Sequence, residues 1–591
     1  MASHGPEGIE NASRADVIPD ETAAEAGHDP DQLKPKVYPT GWRLHALTAG
    51  LCLSMLLSTL ETTIVSTSLV AMANDLRGFG QAGWVVTAYF LTYTGFLVIY
   101  AKLSDIFGTK LLLLFAVTIF AVFSVACGVS GTMMQLIVFR AFQGLGGSGI
   151  YSLVTVMTPL MVPPAKYPTY IAIISSVFAI SSVLGPLLGG AIADHATWRW
   201  VFWLNAPGGA IAFILITISI PFSFPYQPGP THFLRTLVTE KAWRRVDYLG
   251  AVSSLAASVL LVFALEQAGV AYPWDSAPVI AAFVLSGVLW VVFVVWERAV
   301  SLRGQSKERE KGKVWVCEPL FPWRLACDRF VLGLLLNAFL TGFPFMAAII
   351  TIPQRFQVVN GTNAIDAGIR MLPLLLCSPF ATVFASVLLT KLRLPPLYVL
   401  LAGCGLQTLG VGLFSSLDPS HLDNIPSYQY GYQVIMGCGF GLNLSTVLMM
   451  VPLVVTQRDM PVTMGAATQI RVLGGTIGLA ICSALLSNYV AAHTGDLLTP
   501  QEQAAILQSS QNIRRLPSTD LQLEVRQVYA EAYGQQMRVM LYFCVAALVS
   551  LSLLAEWPPR KMRTTEDGEI AAPPTRGGKR ESRGEKRESM V

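Results

Sequence analysis

Val183-Leu184-Gly185-Pro186-Leu187-Leu188-Gly189-Gly190-Ala191-Ile192 sets a glycine-proline cluster inside an apolar run, and Val472-Leu473-Gly474-Gly475-Thr476-Ile477-Gly478-Leu479-Ala480-Ile481 partly repeats it late in the chain. In hydrocarbon, every freed backbone group must find a partner within the protein. Pro186 has no N–H and frees the carbonyl of Ser182 one turn back, while Gly185 and Gly189 strip one helix face of side-chain bulk. The stretch predicts a bending, closely packed helix. A packing notch with no mechanical role fits the residues equally well, because Gly and Pro are commoner in membrane helices than in soluble ones. Gly144 and Gly146 match Gly437 and Gly439 at nearly the same offset. That offset relates the first six apolar spans to the last six, and two bundles related by a parallel repeat are a transporter architecture.

The chain has 591 residues, of which 53% are hydrophobic and 13% charged, and a mean hydropathy of +0.52. These values exclude an ordinary soluble domain and indicate an all-α polytopic membrane protein. Apolar stretches long enough to cross a bilayer fall at 44–73, 84–104, 110–130, 134–159, 169–193, 199–221, 248–268, 277–297, 330–352, 367–390, 396–415, 429–455, 464–490 and 536–556, giving fourteen expected transmembrane helices. The expected organisation is a disordered N-tail (1–43), a six-helix bundle (44–221), a linker with two inserted helices and a charged loop (222–329), a second six-helix bundle (330–556) and a basic disordered C-tail (557–591). A long polar segment is expected around 491–535. Residues before Trp42 lack the pattern of a secretory signal, so the first span is expected to direct insertion.

Charge reports topology more than ligand. Net charge is only +4, which gives no reason to expect a nucleic-acid partner. Lys102, Lys110, Lys166, Arg235, Lys241, Arg244, Arg245, the Arg303 to Lys313 cluster, Lys391, Arg393 and Arg458 fall in one alternating set of loops; Arg77, Arg199 and Arg355 fall in the other. The basic set is expected to face the cytoplasm, with both termini there. The sequon Asn360-Gly361-Thr362 then lies in an external loop, open to glycosylation. Nine cysteines are scattered without a CxxC pair, so free thiols are expected, and no metal or cofactor site.

Ionisable groups inside apolar spans cost about 2.5–3.5 kcal/mol each on insertion scales, so a functional reading is the default. Glu61, in Thr59-Leu60-Glu61-Thr62-Thr63, can bind a proton or a cationic substrate, or be permanently paired to hold the bundle. Arg140 stays charged at physiological pH and can tune a neighbouring acid or anchor an anion; Gln143 and Gly144 share its face. Arg471 is a similar candidate. In Ala101-Lys102-Leu103-Ser104-Asp105-Ile106-Phe107-Gly108-Thr109-Lys110, Asp105 can cap the following helix or latch two bundles together.

Together these stretches resemble the major facilitator superfamily over roughly residues 40–560, and within it the fourteen-span drug:proton antiporters found in fungi. Leu60-Glu61-Thr62-Thr63-Ile64-Val65 resembles the family's span-1 motif, with Glu61 where Asp is usual. Asp105, Gly108 and Lys110 match the gating motif, in which Ala101 replaces a glycine and Thr109 a basic residue. Arg140-Ala141-Phe142-Gln143-Gly144 resembles the motif linked to proton coupling, and Gly185, Pro186, Gly189 and Gly190 the motif of antiporters. Asp194, Trp198, Arg199, Trp200, Phe202, Asn205 and Pro207 continue the likeness.

The resemblance implies export of a hydrophobic small molecule, drug or secondary metabolite against inward protons, by a monomer in the plasma membrane, with Glu61 and Arg140 coupling the proton. Phe90, Tyr93, Phe142, Gln143, Tyr151, Phe345, Gln469 and Arg471 are the expected cavity lining. The alternatives are proton-linked movement of basic amino acids or iron chelates, with the vacuolar membrane as another location, and a sensor that binds without transport. No HExxH, metal-spaced carboxylates or nucleotide loop suggests catalysis.

Overall fold

Thr132 opens one helix by accepting a 3.3 Å hydrogen bond from Gln135 N, and Asp247, Asp328 and Ser518 open others in the same way. Each such cap satisfies a donor that the helix itself leaves unpaired, and contributes about 1 kcal/mol. The computed structural model describes residues 38–76, 82–220, 243–268, 272–308, 317–420, 422, 425–456, 459–495, 497–508, 512–513, 516–557 and 559, some of them as backbone alone. Arg77, Arg235, Lys241, Arg458, most of the Arg303 to Lys313 cluster and both tails lie outside these residues, as do the side chains of Asp194 and Glu266.

The described helices are α1 (Trp42–Asp75), α2 (Ala82–Phe107), α3 (Thr109–Gly128), α4 (Met133–Leu160), α5 (Tyr167–His195), α6 (Arg199–Trp203), α7 (Asn205–Ser219), α8 (Tyr248–Gln267), α9 (Ala277–Glu308), α10 (Trp323–Ala326), α11 (Arg329–Val358), α12 (Ala364–Arg370), α13 (Leu372–Thr390), α14 (Pro396–Ser415), α15 (Tyr428–Val454), α16 (Met460–Thr494), α17 (Pro500–Gln508) and α18 (Thr519–Ser550). All fourteen expected spans fall on helix. Among the described residues twelve helical stretches, one of them α6 together with α7, are long and apolar enough to cross a membrane. Helix α4 falls below that measure, diluted by Arg140, Gln143 and four glycines, while α5 is apolar helix over Tyr167–Phe178, beyond which several of its side chains lie outside the described residues.

Glycines set the packing, and they do so twice. A Cβ at Gly144 would strike the carbonyl of Tyr89 on α2, and one at Gly146 the backbone nitrogen of Phe120 on α3. Gly437 and Gly439 of α15 stand the same way against Leu374 of α13 and Gln407 of α14. At that offset Pro168, near the start of α5, falls opposite Pro461 of α16, Gly185 opposite Gly478, and Arg140 opposite Gln433. The echo quoted from the sequence therefore sits one turn out of step, because α16 offers glycine at Gly474, Gly475 and Gly478 and a pattern match slides between them. Gly185 packs on Thr63 of α1, and Gly478 packs on the Phe343 ring of α11.

The segment 491–535 is not the polar connection expected. Helix α16 runs on to Thr494, α17 follows, and α18 begins at Thr519, far ahead of residue 536. Val490, Leu498, Ile506, Val525, Tyr529 and Tyr533 bury one face in a satellite core. The stretch is amphipathic rather than uniformly apolar, so hydropathy passes over it.

Helices α8 and α9 stand between the two six-helix sets in sequence. Leu255 of α8 packs into the notch at Gly95 on α2, Gln267 Nε2 donates to Thr87 Oγ1 at 3.3 Å, and Gln469 Nε2 of α16 donates to Ser258 Oγ of α8 at 3.3 Å. Val284, Val288, Val291 and Val295 of α9 are exposed at helical spacing, an apolar stripe suited to acyl chains.

Candidate functional site

Burial in a low-dielectric bundle makes an isolated charge costly, so each buried ion must be accounted for by its partners. Glu61 on α1 is fully buried, and Arg140 on α4 is 1% exposed. Glu61 Oε1 accepts from Arg140 Nη1 at 2.6 Å and Oε2 accepts from Asn205 Nδ2 of α7 at 2.6 Å. Arg140 Nη1 also donates to Gln143 Oε1 at 2.8 Å, and its Nε to the Val85 carbonyl at 3.0 Å. Gln143 Nε2 in turn donates to Ser124 Oγ of α3 at 2.6 Å. Four helices thus meet on one ion pair.

An aromatic column leads away from this pair. The Arg140 guanidinium lies 4.2 Å from the centre of the Tyr89 ring, close enough for a cation–π contact. Tyr89 stacks on Tyr93 with centroids 5.5 Å apart, Tyr93 on Tyr151 at 6.2 Å, and Tyr151 meets Phe178 at 5.3 Å. Tyr151 then accepts a hydrogen bond from Arg471 of α16. Beyond Phe178 come Phe345 at 5.9 Å and Phe440, edge-on to Phe345 at 5.3 Å. The column crosses from one bundle to the other.

Its midpoint borders a narrow cleft lined by Met55, Tyr151, Thr155, Thr158, Ile171, Ile174, Ser175, Phe178, Leu444, Leu448, Met464 and Arg471. Both bundles contribute, and the walls are mostly apolar with a few polar groups, the usual make-up of a small-molecule site. Thr155 and Thr158 spend their hydroxyl protons on carbonyls one turn back.

Of the lining expected from sequence, Tyr151 and Arg471 are in the cleft, while Tyr93 and Phe345 stand behind its aromatic wall. Phe142 is not there: it is 46% exposed and stacks on Phe123 at 4.7 Å, on the outer face of the bundle. It follows Arg140 by two residues, and two helical positions put it about 160° around the axis from the charged pair. Gln143 belongs to the Arg140 network, Gln469 reaches α8, and the half-buried Phe90 meets Tyr89 edge-on at 6.0 Å; none of the three lines the cleft. Tyr89 and Phe178 were missed. The i, i+4 spacing of Tyr89 and Tyr93 was the available signal.

The gating expectations divide. Asp105 is exposed in the last turn of α2 and does not cap α3, whose N-cap is Gly108 with φ 92 and no side-chain hydrogen bond. That positive φ explains the glycine. Lys110 donates to the carbonyls of Thr217 at 2.9 Å and Ile220, tying α3 to the end of α7 inside one bundle. Other groups carry the ion pairs at this end: Glu318 accepts from Lys102 Nζ at 2.8 Å and pairs with Arg245 at 2.8 Å, and Arg324 pairs with Asp459 at 2.7 Å. Asp105 lies within the field of Lys102, Glu318, Arg245 and Asp459. At the opposite end Arg199 pairs with Asp75 at 2.7 Å.

Helix α5 continues through Gly185, Pro186, Gly189 and Gly190. Gly185 abuts the Thr63 side chain and the Ile64 nitrogen, two residues past Glu61, and the Gly189 carbonyl accepts from Ser68 Oγ at 3.3 Å. Asn360 Nδ2, the atom a glycan would take, donates to the Leu422 carbonyl at 3.1 Å and is part-buried. Among the described residues no group of His, Cys, Asp and Glu could hold a metal ion.

A profile described as Major Facilitator Superfamily matches residues 51–274 and 248–479. The MFS-type transporter FPY5 of Fusarium mangiferae is 62% identical over 535 residues, covering 90% of this chain and 87% of that protein. The efflux pump bfoC of Aspergillus brasiliensis is 28% identical, over 91% of this chain and 92% of that one. The MFS thioclapurine efflux transporter tcpA of Claviceps purpurea is also 28% identical, over 91% and 95%. Among solved structures, the fold is similar to a bacterial homologue of the human lysosomal transporter Spinster, inward-facing and unoccupied, with a TM-score of 0.54, 15% identity, and coverage of 87% of this chain and 98% of that one. The proton:xylose symporter XylE is similar at a TM-score of 0.54, with 11% identity and coverage of 89% and 97%.

Proposed function

The chain belongs to the major facilitator superfamily, and from that footing we propose that it is a proton-driven exporter of hydrophobic small molecules, acting as a monomer in the plasma membrane with both termini in the cytoplasm. It is a multi-pass membrane transporter of small molecules. Two relatives carry export in their names, which supports the outward direction.

The buried Glu61–Arg140 pair carries the reading. A carboxylate held by Arg140 and Asn205 is a group whose charge changes with one proton, at the junction of α1, α4 and α7. Protonation removes its attraction for Arg140, loosens the junction and biases the bundles toward the alternative packing; release restores the pair. Gly185 lets α5 lie directly against α1 just past Glu61, so a shift of α1 is felt by a cleft-lining helix. A membrane potential of about 100 mV supplies about 2.3 kcal/mol per proton and one pH unit about 1.4, together enough for a gradient of roughly several hundredfold. The cleft holds Arg471 and, among its lining residues, no carboxylate, which disfavours basic amino acids as cargo.

The test is efflux of a lipophilic fluorescent dye from liposomes holding the purified chain, with and without a pH gradient. The wild type should pump only with the gradient and Glu61→Gln should not; equal pumping by that variant removes Glu61 from the mechanism.

A further inference from the structure

Two arginines are buried in the transmembrane region near the aromatic column, and their surroundings differ. Arg140 is neutralised by Glu61 at 2.6 Å. Arg471 is 8% exposed, donates to the Tyr151 hydroxyl, and lies 5.9 Å from the centre of the Phe178 ring. Among the described residues no carboxylate lies within ion-pair distance of it, and the cleft it lines contains no acidic side chain. A guanidinium cannot shed its proton to escape this setting. Removing it from water without a counter-charge costs several kcal/mol.

The walls around it are Met55, Ile174, Leu444 and Leu448, which offer no compensation. One further donor is at the cleft: Ser175 is buried and lines it. A guanidinium and a serine hydroxyl at an apolar cleft match one ligand chemistry, a hydrophobic body ending in an ionised oxygen group.

We propose that Arg471 is the binding site for the anionic group of the cargo, so that the transported molecule is a hydrophobic monoanion, a carboxylate or an equally acidic enol, and itself supplies the missing counter-charge. This rests on the cleft being the transport site. Planar bidentate contact favours Arg over Lys in such a role. The site is distinct from the Glu61–Arg140 pair, which keeps its own charge balance whether or not cargo is bound.

The experiment uses the full chain in phosphatidylcholine nanodiscs, at pH 7.5 and without a gradient, titrated with 9-anthracenecarboxylate and with 9-anthracenecarboxamide, read by fluorescence against empty discs. The carboxylate should bind the wild type at least about tenfold more tightly than the amide, the ratio expected of one charge-assisted hydrogen bond. Arg471→Gln should bring the two within about twofold, the scatter of neutral contacts. Leu448→Glu, which brings a carboxylate into the cleft while leaving Arg471 in place, should also abolish the preference, and decides the matter if Arg471→Gln does not fold. Equal binding by the wild type, no binding of either probe, or a preference that survives either variant overturns the proposal. Because the readout needs no proton gradient, failure of proton coupling leaves this result standing, and the reverse also holds.

Discussion

Tyr89 lies with its ring 4.2 Å from the guanidinium of Arg140 and its hydroxyl donating to the Ser58 carbonyl at 3.2 Å, so one residue joins the buried ion pair to the column whose Tyr151 accepts from Arg471. Burial of the whole column, with Tyr93 3% and Tyr151 1% exposed, makes it a packed strut rather than a loose contact.

Tyr89→Leu removes both the cation–π contact and the stack on Tyr93. Gradient-driven efflux should fall by about tenfold, in line with the 0.5–2 kcal/mol assigned to such contacts, while dye binding without a gradient stays within about twofold. Tyr89→Phe keeps the ring and should retain most of the transport. Loss of binding and transport together in Tyr89→Leu would mean that the column serves only to hold the bundle.

Removing one half of the buried pair should destabilise more than removing both. Arg140→Leu strands the Glu61 carboxylate, and breaking a buried pair costs about 3–5 kcal/mol. The Glu61→Leu/Arg140→Leu double variant should recover much of the thermal stability measured in detergent, yet show no gradient-driven efflux. A double variant less stable than Arg140→Leu contradicts this account.

Gly185→Ala should reduce transport and lower stability, because its methyl overlaps Thr63 and crowds the Ile64 nitrogen. A shift of packed backbone costs about 1–3 kcal/mol. Thr63→Ala alongside it should recover part of the loss. Gly287→Ala on α9, with nothing within 4 Å of the added carbon, should be silent in the same assay.

The ion pairs at Glu318 have a defined pH window. Burial pushes the Glu318 carboxyl up, but Lys102 and then Arg245 outweigh it and leave the group below the usual carboxylate range. A depressed folded value stabilises fully above the unfolded value of about 4.3 and loses that contribution as pH falls through the folded one. Wild type and Glu318→Gln should therefore differ by a constant amount from pH 6 to 8, about 1 kcal/mol or less for a partly exposed pair, and converge only below about pH 4. Added salt should narrow the gap at neutral pH. A difference that changes between pH 6 and 8 would assign the effect to another group.

Much of this was legible in the chain because lipid simplifies the problem. An apolar run in hydrocarbon must be helix, so the spans follow from hydropathy, and Glu61 and Arg140 stand out because charge is costly there. What stayed hidden depends on facing and on partners. Phe142 and Tyr151 look equally suited to a cavity, yet one faces outward and the other inward, a difference of rotation that weak amphipathicity in an almost wholly apolar helix does not reveal. The pairing of Glu318 and Asp459 could not be read from the chain, because their partners lie far away in sequence. Gly185 was correctly marked as a close approach, but that it meets Thr63 follows only from the crossing of α5 and α1.

Helix α8 is hydrogen-bonded to α2 through Gln267 and Thr87, and to α16 through Ser258 and Gln469. One seam between the bundles is therefore boarded over. The seam on the other side, where Ser176 of α5 donates to the Pro379 carbonyl of α13 at 3.3 Å, has no such cover among the described residues, and Phe380 and Phe384 beside it are exposed. If the cleft is the transport site, as proposed, the molecule has a front and a back: a compound already dissolved in the leaflet would approach from the α5–α13 flank, and the bilayer would act as the first selectivity step, admitting cargo by its partition coefficient before any side chain reads it.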